Sequence, residues 1–201
     1  METETKETIP LWLAVAITVV VSLPFGLYLD NVSGDLKLMN LPLWVAFIVW
    51  AEYFALGAKP DALRTIIPAF SLSAILTGAA MWLYVILNDQ VVPKDAPEGT
   101  ALAIALFIGV GAMVYIMRFW PVLQAGSLPF FNGISMLLGV YFTGSIPAGT
   151  DPYLAPWIAA LVTIVAGLLG CALGWFNVTI TFPHQVASAQ RPATGGLATQ
   201  H

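Results

Sequence analysis

An internal repeat constrains this chain more than any other feature. Leu41-Pro42-Leu43-Trp44 opens an apolar run that closes on Tyr53-Phe54-Ala55-Leu56-Gly57, and Leu128-Pro129-Phe130-Phe131 opens another that closes on Tyr141-Phe142-Thr143-Gly144. The prolines lie 87 residues apart, the tyrosines 88 and the glycines 87. Pro68 and Pro156 keep the interval at 88, and Leu13-Ala14-Val15-Ala16 matches Leu102-Ala103-Ile104-Ala105 at 89. Asn40 and Ser127, both suited to cap a helix, stand two residues before the first proline of each copy. Repeat-built membrane bundles place their site where the halves meet.

The runs between these landmarks are apolar enough to cross a bilayer, for which about 20 residues are needed. Six are predicted, at about 11–28, 41–57, 62–88, 100–118, 127–145 and 154–176. Hydrophobic residues make up 59% of the chain and charged residues 9%, with a mean hydropathy of +0.85; soluble domains carry about 25% charged residues. The expected fold is an all-α membrane protein of six transmembrane helices (residues 11–176) with no room for a soluble domain. Repeat one covers about 11–88 and repeat two about 100–176. Three spans per repeat is an odd number, so the second copy enters the membrane from the opposite side. That is the 3+3 inverted repeat of many transporters.

Six spans put both flanking segments on one side: 1–10, and a tail 177–201 expected to be disordered, its stretch from Gln185 onward being small, polar and aperiodic. Lys6, Lys59, Arg64, Arg118 and Arg191 fall on that side, against Lys37 and Lys94 on the other. The positive-inside rule then makes both termini cytoplasmic. The leading Glu2-Thr3-Glu4-Thr5-Lys6-Glu7 is acidic where a signal peptide is basic, so the first run is expected to be retained. A net charge of −4 without a basic patch speaks against nucleic acid as a partner. Cys171 is the only cysteine, and His184 and His201 both follow the last run, so neither a metal nor another cofactor is expected. No catalytic constellation or nucleotide-binding loop is visible, and no enzyme activity is expected.

The second and fifth runs are the short ones, each opened by a proline that suits a helix's first turn and closed by a glycine that suits its C-terminal cap. Paired short segments of this kind point to a permeation or binding site. Glu52 is the one carboxylate well inside a run, and an intramembrane ionisable residue is a functional candidate. Its bland alternative is an ion pair at the cytoplasmic rim with Lys59, Arg64 or Arg118. Asn132 and Ser135, in the first turns of the fifth run, could hydrogen-bond a solute, and Trp44, Phe47, Phe130 and Phe131 could form an aromatic constriction, with Tyr53 beside Glu52. Ala74 and Gly78, and Gly170 and Gly174, are small residues four apart and are expected to pack helices closely.

Trp44, Phe47, Ala51-x-Tyr53-Phe54-Ala55 with the glycine after it, and Phe130-Phe131-x-Gly133 resemble a family of small bacterial inner-membrane proteins of unknown function, the YcdZ-like proteins. The resemblance covers roughly residues 10–176 and implies a multi-pass protein of the bacterial inner membrane, with no substrate attached. From the residues alone, two functions are expected to compete. One is a transporter or channel for a small uncharged or weakly basic solute, sited between the second and fifth helices and assembled as a homo-oligomer in the lipid bilayer. The other is a non-transporting accessory subunit that binds a partner through its small-residue helix faces. The lack of an Asn-Pro-Ala pair or a Thr-Val-Gly-Tyr-Gly filter sets this chain apart from aquaporins and potassium channels.

Overall fold

A computed structural model describes residues 7–32 and 39–182, and no strand occurs among them. Lys6, Lys37, Arg191, both histidines and the tail from residue 183 lie outside the described residues. The long apolar helices are α1 (Leu11–Leu27), α3 (Leu43–Ala55), α4 (Pro60–Ile86), α5 (Thr100–Met117), α7 (Ser127–Phe142) and α8 (Ala155–Thr181). Two short helices absent from the sequence reading join them: α2 (Leu29–Val32) and α6 (Pro121–Ala125). A π-helical turn, Leu87–Val91, continues α4. Helices α4, α5 and α8 are long and apolar enough to cross a membrane, and α1, α3 and α7 are shorter apolar helices; the set is compatible with a membrane protein.

The punctuation worked as expected at the two short helices. Gly57 and Gly144 follow α3 and α7 at φ +94° and +67°, a backbone state that costs other residues a Cβ clash. Around each, the same pair of hydrogen bonds forms. Ala58 N–H donates to Tyr53 O and Gly57 N–H to Phe54 O; Ser145 N–H donates to Val140 O and Gly144 N–H to Tyr141 O. Both helices therefore end in a Schellman motif, and every atom pair in one lies 87 residues from its counterpart. This interval sets Glu52 opposite Gly139, and it sets Tyr53 opposite Val140 rather than Tyr141.

Helices α4 and α8, each of 27 residues, form the centre. Gly78 of α4 lies against α8, where a Cβ would stand 3.2 Å from the Ala160 Cβ. Helix α3 packs chiefly on α8 and α7 chiefly on α4; α1 leans on α8 and α5 on α4. One apolar core, including Val49, Tyr53, Ile66, Phe70, Leu137 and Ala166, runs through α3, α4, α7 and α8.

One boundary is corrected. The last helix runs to Thr181, so residues 177–181 of the expected tail are helical. Asn177 is fully buried there and donates from Nδ2 to Thr18 Oγ1 on α1 at 3.1 Å, while the Thr18 hydroxyl donates to Ala14 O. Thr8 N–H donates to Thr181 O and ties the N-terminal segment to the same end.

At the opposite end of α4 and α8, the Tyr153 hydroxyl donates to Asp89 Oδ2 at 2.6 Å and Gln90 Nε2 donates to Tyr153 Oη at 3.3 Å. The bond to the Asp89 carboxylate holds the Tyr153 phenol above its ordinary value of 10.0. A phenol raised on folding stabilises the fold below the ordinary tyrosine range and loses that contribution as pH climbs through the raised value. Y153F should therefore lower Tm slightly at neutral pH, and the difference from wild type should shrink above about pH 10. Thermal melts across that range check it.

Candidate functional site

Glu52 sits one turn before the end of α3 and is 2% exposed. Its Oε1 accepts a hydrogen bond from Asn132 Nδ2, in the second turn of α7, at 2.5 Å. Its Oε2 is buried with no partner. Eight residues back along α3, the indole of Trp44 covers Gly139 of α7, so closely that a Cβ on Gly139 would lie 2.5 Å from Trp44 Cη2. The end of α3 thus meets the start of α7, and the start of α3 meets the end of α7: the two short helices are antiparallel.

The rim ion pair does not form. Arg64 pairs with Asp61 at 3.4 Å on the surface, and the Arg118 guanidinium lies over the Tyr115 and Phe119 rings at 5.2 and 5.4 Å. Among the described residues Glu52 makes no ion pair. A buried carboxyl group thus has a single neutral amide as its donor, and one of its oxygens remains free.

The other expected site residues divide. Tyr53 is fully buried against Gly174, and its hydroxyl has no partner. Ser135 Oγ donates to Phe131 O of its own helix, at an exposed position, and does not join Glu52. The aromatic constriction is not formed either. Phe130 is 0% exposed and packs with Met113, Leu123 and Ile134, whereas its neighbour Phe131 is 46% exposed on another face. Phe47 stacks edge-on with Trp50, at 6.1 Å between centroids, in a cluster with Leu173 and Val19. Only Trp44 stays on the α3–α7 contact.

The small residues do pack helices, but within the chain. A Cβ on Gly170 would run into Ala46 O, and one on Gly174 would lie 2.9 Å from Tyr53 Cδ1. Helix α3 therefore fills the Gly170–Gly174 face that the accessory reading reserves for a partner. Ala74 is fully buried in the same core. An apolar crevice lined by Val49, Ile66, Phe70, Gly167, Leu168 and Cys171 runs beside this seam and has no room for a water.

Sequence reasoning missed Asn177, whose Oδ1 is buried without a partner, and Trp50, whose Nε1–H is likewise orphaned. Asn177 continues the spacing of Gly170, Leu173 and Gly174 by one more turn, and that periodicity was the signal available.

No curated protein and no solved structure matches the chain. Residues 8–181 match the family model described as "Protein of unknown function (DUF1097)", which spans the whole bundle from the segment before α1 to the end of α8, and the chain belongs to that family.

Proposed function

We propose that this protein is a transporter of the bacterial inner membrane, with six membrane-spanning helices in a 3+3 inverted repeat and both termini cytoplasmic. It passes a small uncharged or weakly basic solute along the contact between α3 and α7. The observation that carries this reading is the buried, ion-pair-free carboxyl of Glu52, hydrogen-bonded across the boundary between the halves. Such a group is expensive in hydrocarbon and is kept where it lies on a solute or ion path.

The inverted repeat is supported from three sides. The two Schellman motifs keep one interval. Exchanging the halves turns the α3–α8 packing into the α7–α4 packing, the two most extensive contacts in the bundle. It also carries the Trp44–Gly139 contact onto the Glu52–Asn132 contact within one residue. Helices α3 and α7, of 13 and 16 residues, reach only about 20 and 24 Å at about 1.5 Å per residue. Short, Gly- and Pro-bounded segments of this kind build the sites of repeat transporters. The Trp44–Gly139 and Glu52–Asn132 contacts hold α3 against α7, so this arrangement is a closed one and passage requires the two helices to part. The YcdZ-like resemblance supports the inner-membrane location. Exposed apolar side chains on α1 and α5, Trp12 and Phe107 among them, suit lipid and a second copy of the chain.

The test is stopped-flow light scattering on proteoliposomes offered urea, acetamide, formamide and glycerol. Solute-selective re-swelling is expected, and N132L should reduce it to the rate of empty liposomes. Rates equal to empty liposomes for every solute, with the guanidinium cation included, would overturn the reading.

A further inference from the structure

Resting on that reading, we infer that the solute is a small monovalent nitrogen cation and that Glu52 exchanges it for a proton. The free Oε2 and the missing ion pair carry the inference. A buried carboxylate needs a counter-charge, and the described residues supply none at this place. The counter-charge is then either a proton on the carboxyl or a cation that enters with its own N–H donors.

The surroundings leave little else to titrate. Helix α1 has no ionisable side chain between Leu11 and Leu27, and α7 has none before Tyr141, at the end remote from Glu52. From α8 only Cys171 is close enough to interact with Glu52 electrostatically. On α4, Asp61 and Arg64 pair with each other at more than 80% side-chain exposure, and Tyr84 lies near the far end of the helix. Lys59 caps the start of α4 and forms no ion pair with Glu52. Tyr53, the neighbour on α3, is turned toward Gly174 of α8.

The exchange follows from one carboxyl serving two guests. With a proton on Oε2, Asn132 holds Oε1 and the seam is closed. An ammonium, amidinium or guanidinium ion that reaches Oε2 forms N–H···O bonds to it as the O–H bond breaks, and the proton leaves to water. One positive charge enters as one leaves, so the exchange is electroneutral and the site cannot hold both guests. The Asn132 amide offers its own oxygen as a second acceptor, which suits a guest with several N–H donors. Among the described residues an anion finds no basic partner here.

Guanidinium is the probe, because it stays charged at any working pH and does not leak through lipid as a neutral base. Proteoliposomes with an acidic lumen and an entrapped pH dye receive external guanidinium, and its uptake is measured in parallel by mass spectrometry. The lumen should turn alkaline as guanidinium enters, in a one-to-one ratio. E52Q should show neither change above empty liposomes, and E52D should keep both at a lower rate. In weakly buffered detergent solution, guanidinium should release one proton per wild-type chain and none from E52Q, a result that does not depend on reconstitution. Guanidinium uptake without proton movement would overturn the exchange and leave the transport reading standing. Exchange that persists in E52Q would remove Glu52 from it. Urea-type re-swelling with no guanidinium uptake or proton release would overturn the cation class alone, whereas no movement of any solute would overturn both readings together.

Discussion

G170A should destabilise the bundle by about 1–3 kcal/mol, the usual cost of forcing a methyl group into a filled contact, and G170L should yield no folded protein. The Cβ of an alanine there would meet Ala46 O, with Val49 Cβ at 2.9 Å. The first obstacle is backbone, which cannot swing aside as a side-chain end can. Helix α3 must therefore lift from α8, and with it Glu52 from its place against Asn132. Gly133 of α7 is similarly blocked, by Ser73 Oγ and Phe70 O of α4, and G133A should cost a similar amount. Gly111 on α5 is the control: nothing stands within 4 Å of its would-be Cβ, so G111A should be neutral or slightly stabilising. Fluorescence-monitored thermal unfolding ranks the three. Cys171, 5% exposed and the only cysteine, gives an independent readout, because a thiol reagent should label it faster in G170A than in wild type or G111A.

The parts of this structure legible in the sequence are those set by local chemistry. Proline fixes its own φ and glycine accepts the positive φ that ends a helix, so the limits of α3 and α7 were readable to within a few residues, as was the small-residue packing at Gly170 and Gly174. What each side chain faces was less legible. Phe130 and Phe131 are adjacent, so about 100° of helix rotation separates them, and one had to be core if the other was exposed. Grouping them in one constriction ignored that turn. Glu52 and Asn132 were each singled out, but their hydrogen bond depends on α3 and α7 running antiparallel at one particular depth, which no local pattern encodes. The end of α8 was missed because Asn177, Thr179 and Thr181 interrupt the apolar run, whereas Asn177 finds a buried partner in Thr18, 159 residues earlier in the chain.

The Glu52–Asn132 pair also allows stability to be separated from function. N132L removes the one donor to a buried carboxyl and should cost about 1–3 kcal/mol, since stranding one member of a buried pair costs far more than the pair gains. E52L should cost less, because Asn132 is only half-buried and its amide can turn to other partners. The double variant E52L/N132L strands nothing, and replacing both members with apolar groups of similar shape is often neutral or stabilising. Its Tm should return to that of wild type or exceed it, leaving a coupling energy of about 1–2 kcal/mol between the sites. Solute movement in the same double variant should nevertheless stay at the empty-liposome rate. A pair kept for packing would give the opposite result, with the double variant the least stable of the set. Restored stability with no transport would mean that an apolar seam was always available at this place and that the carboxyl is retained for what it binds.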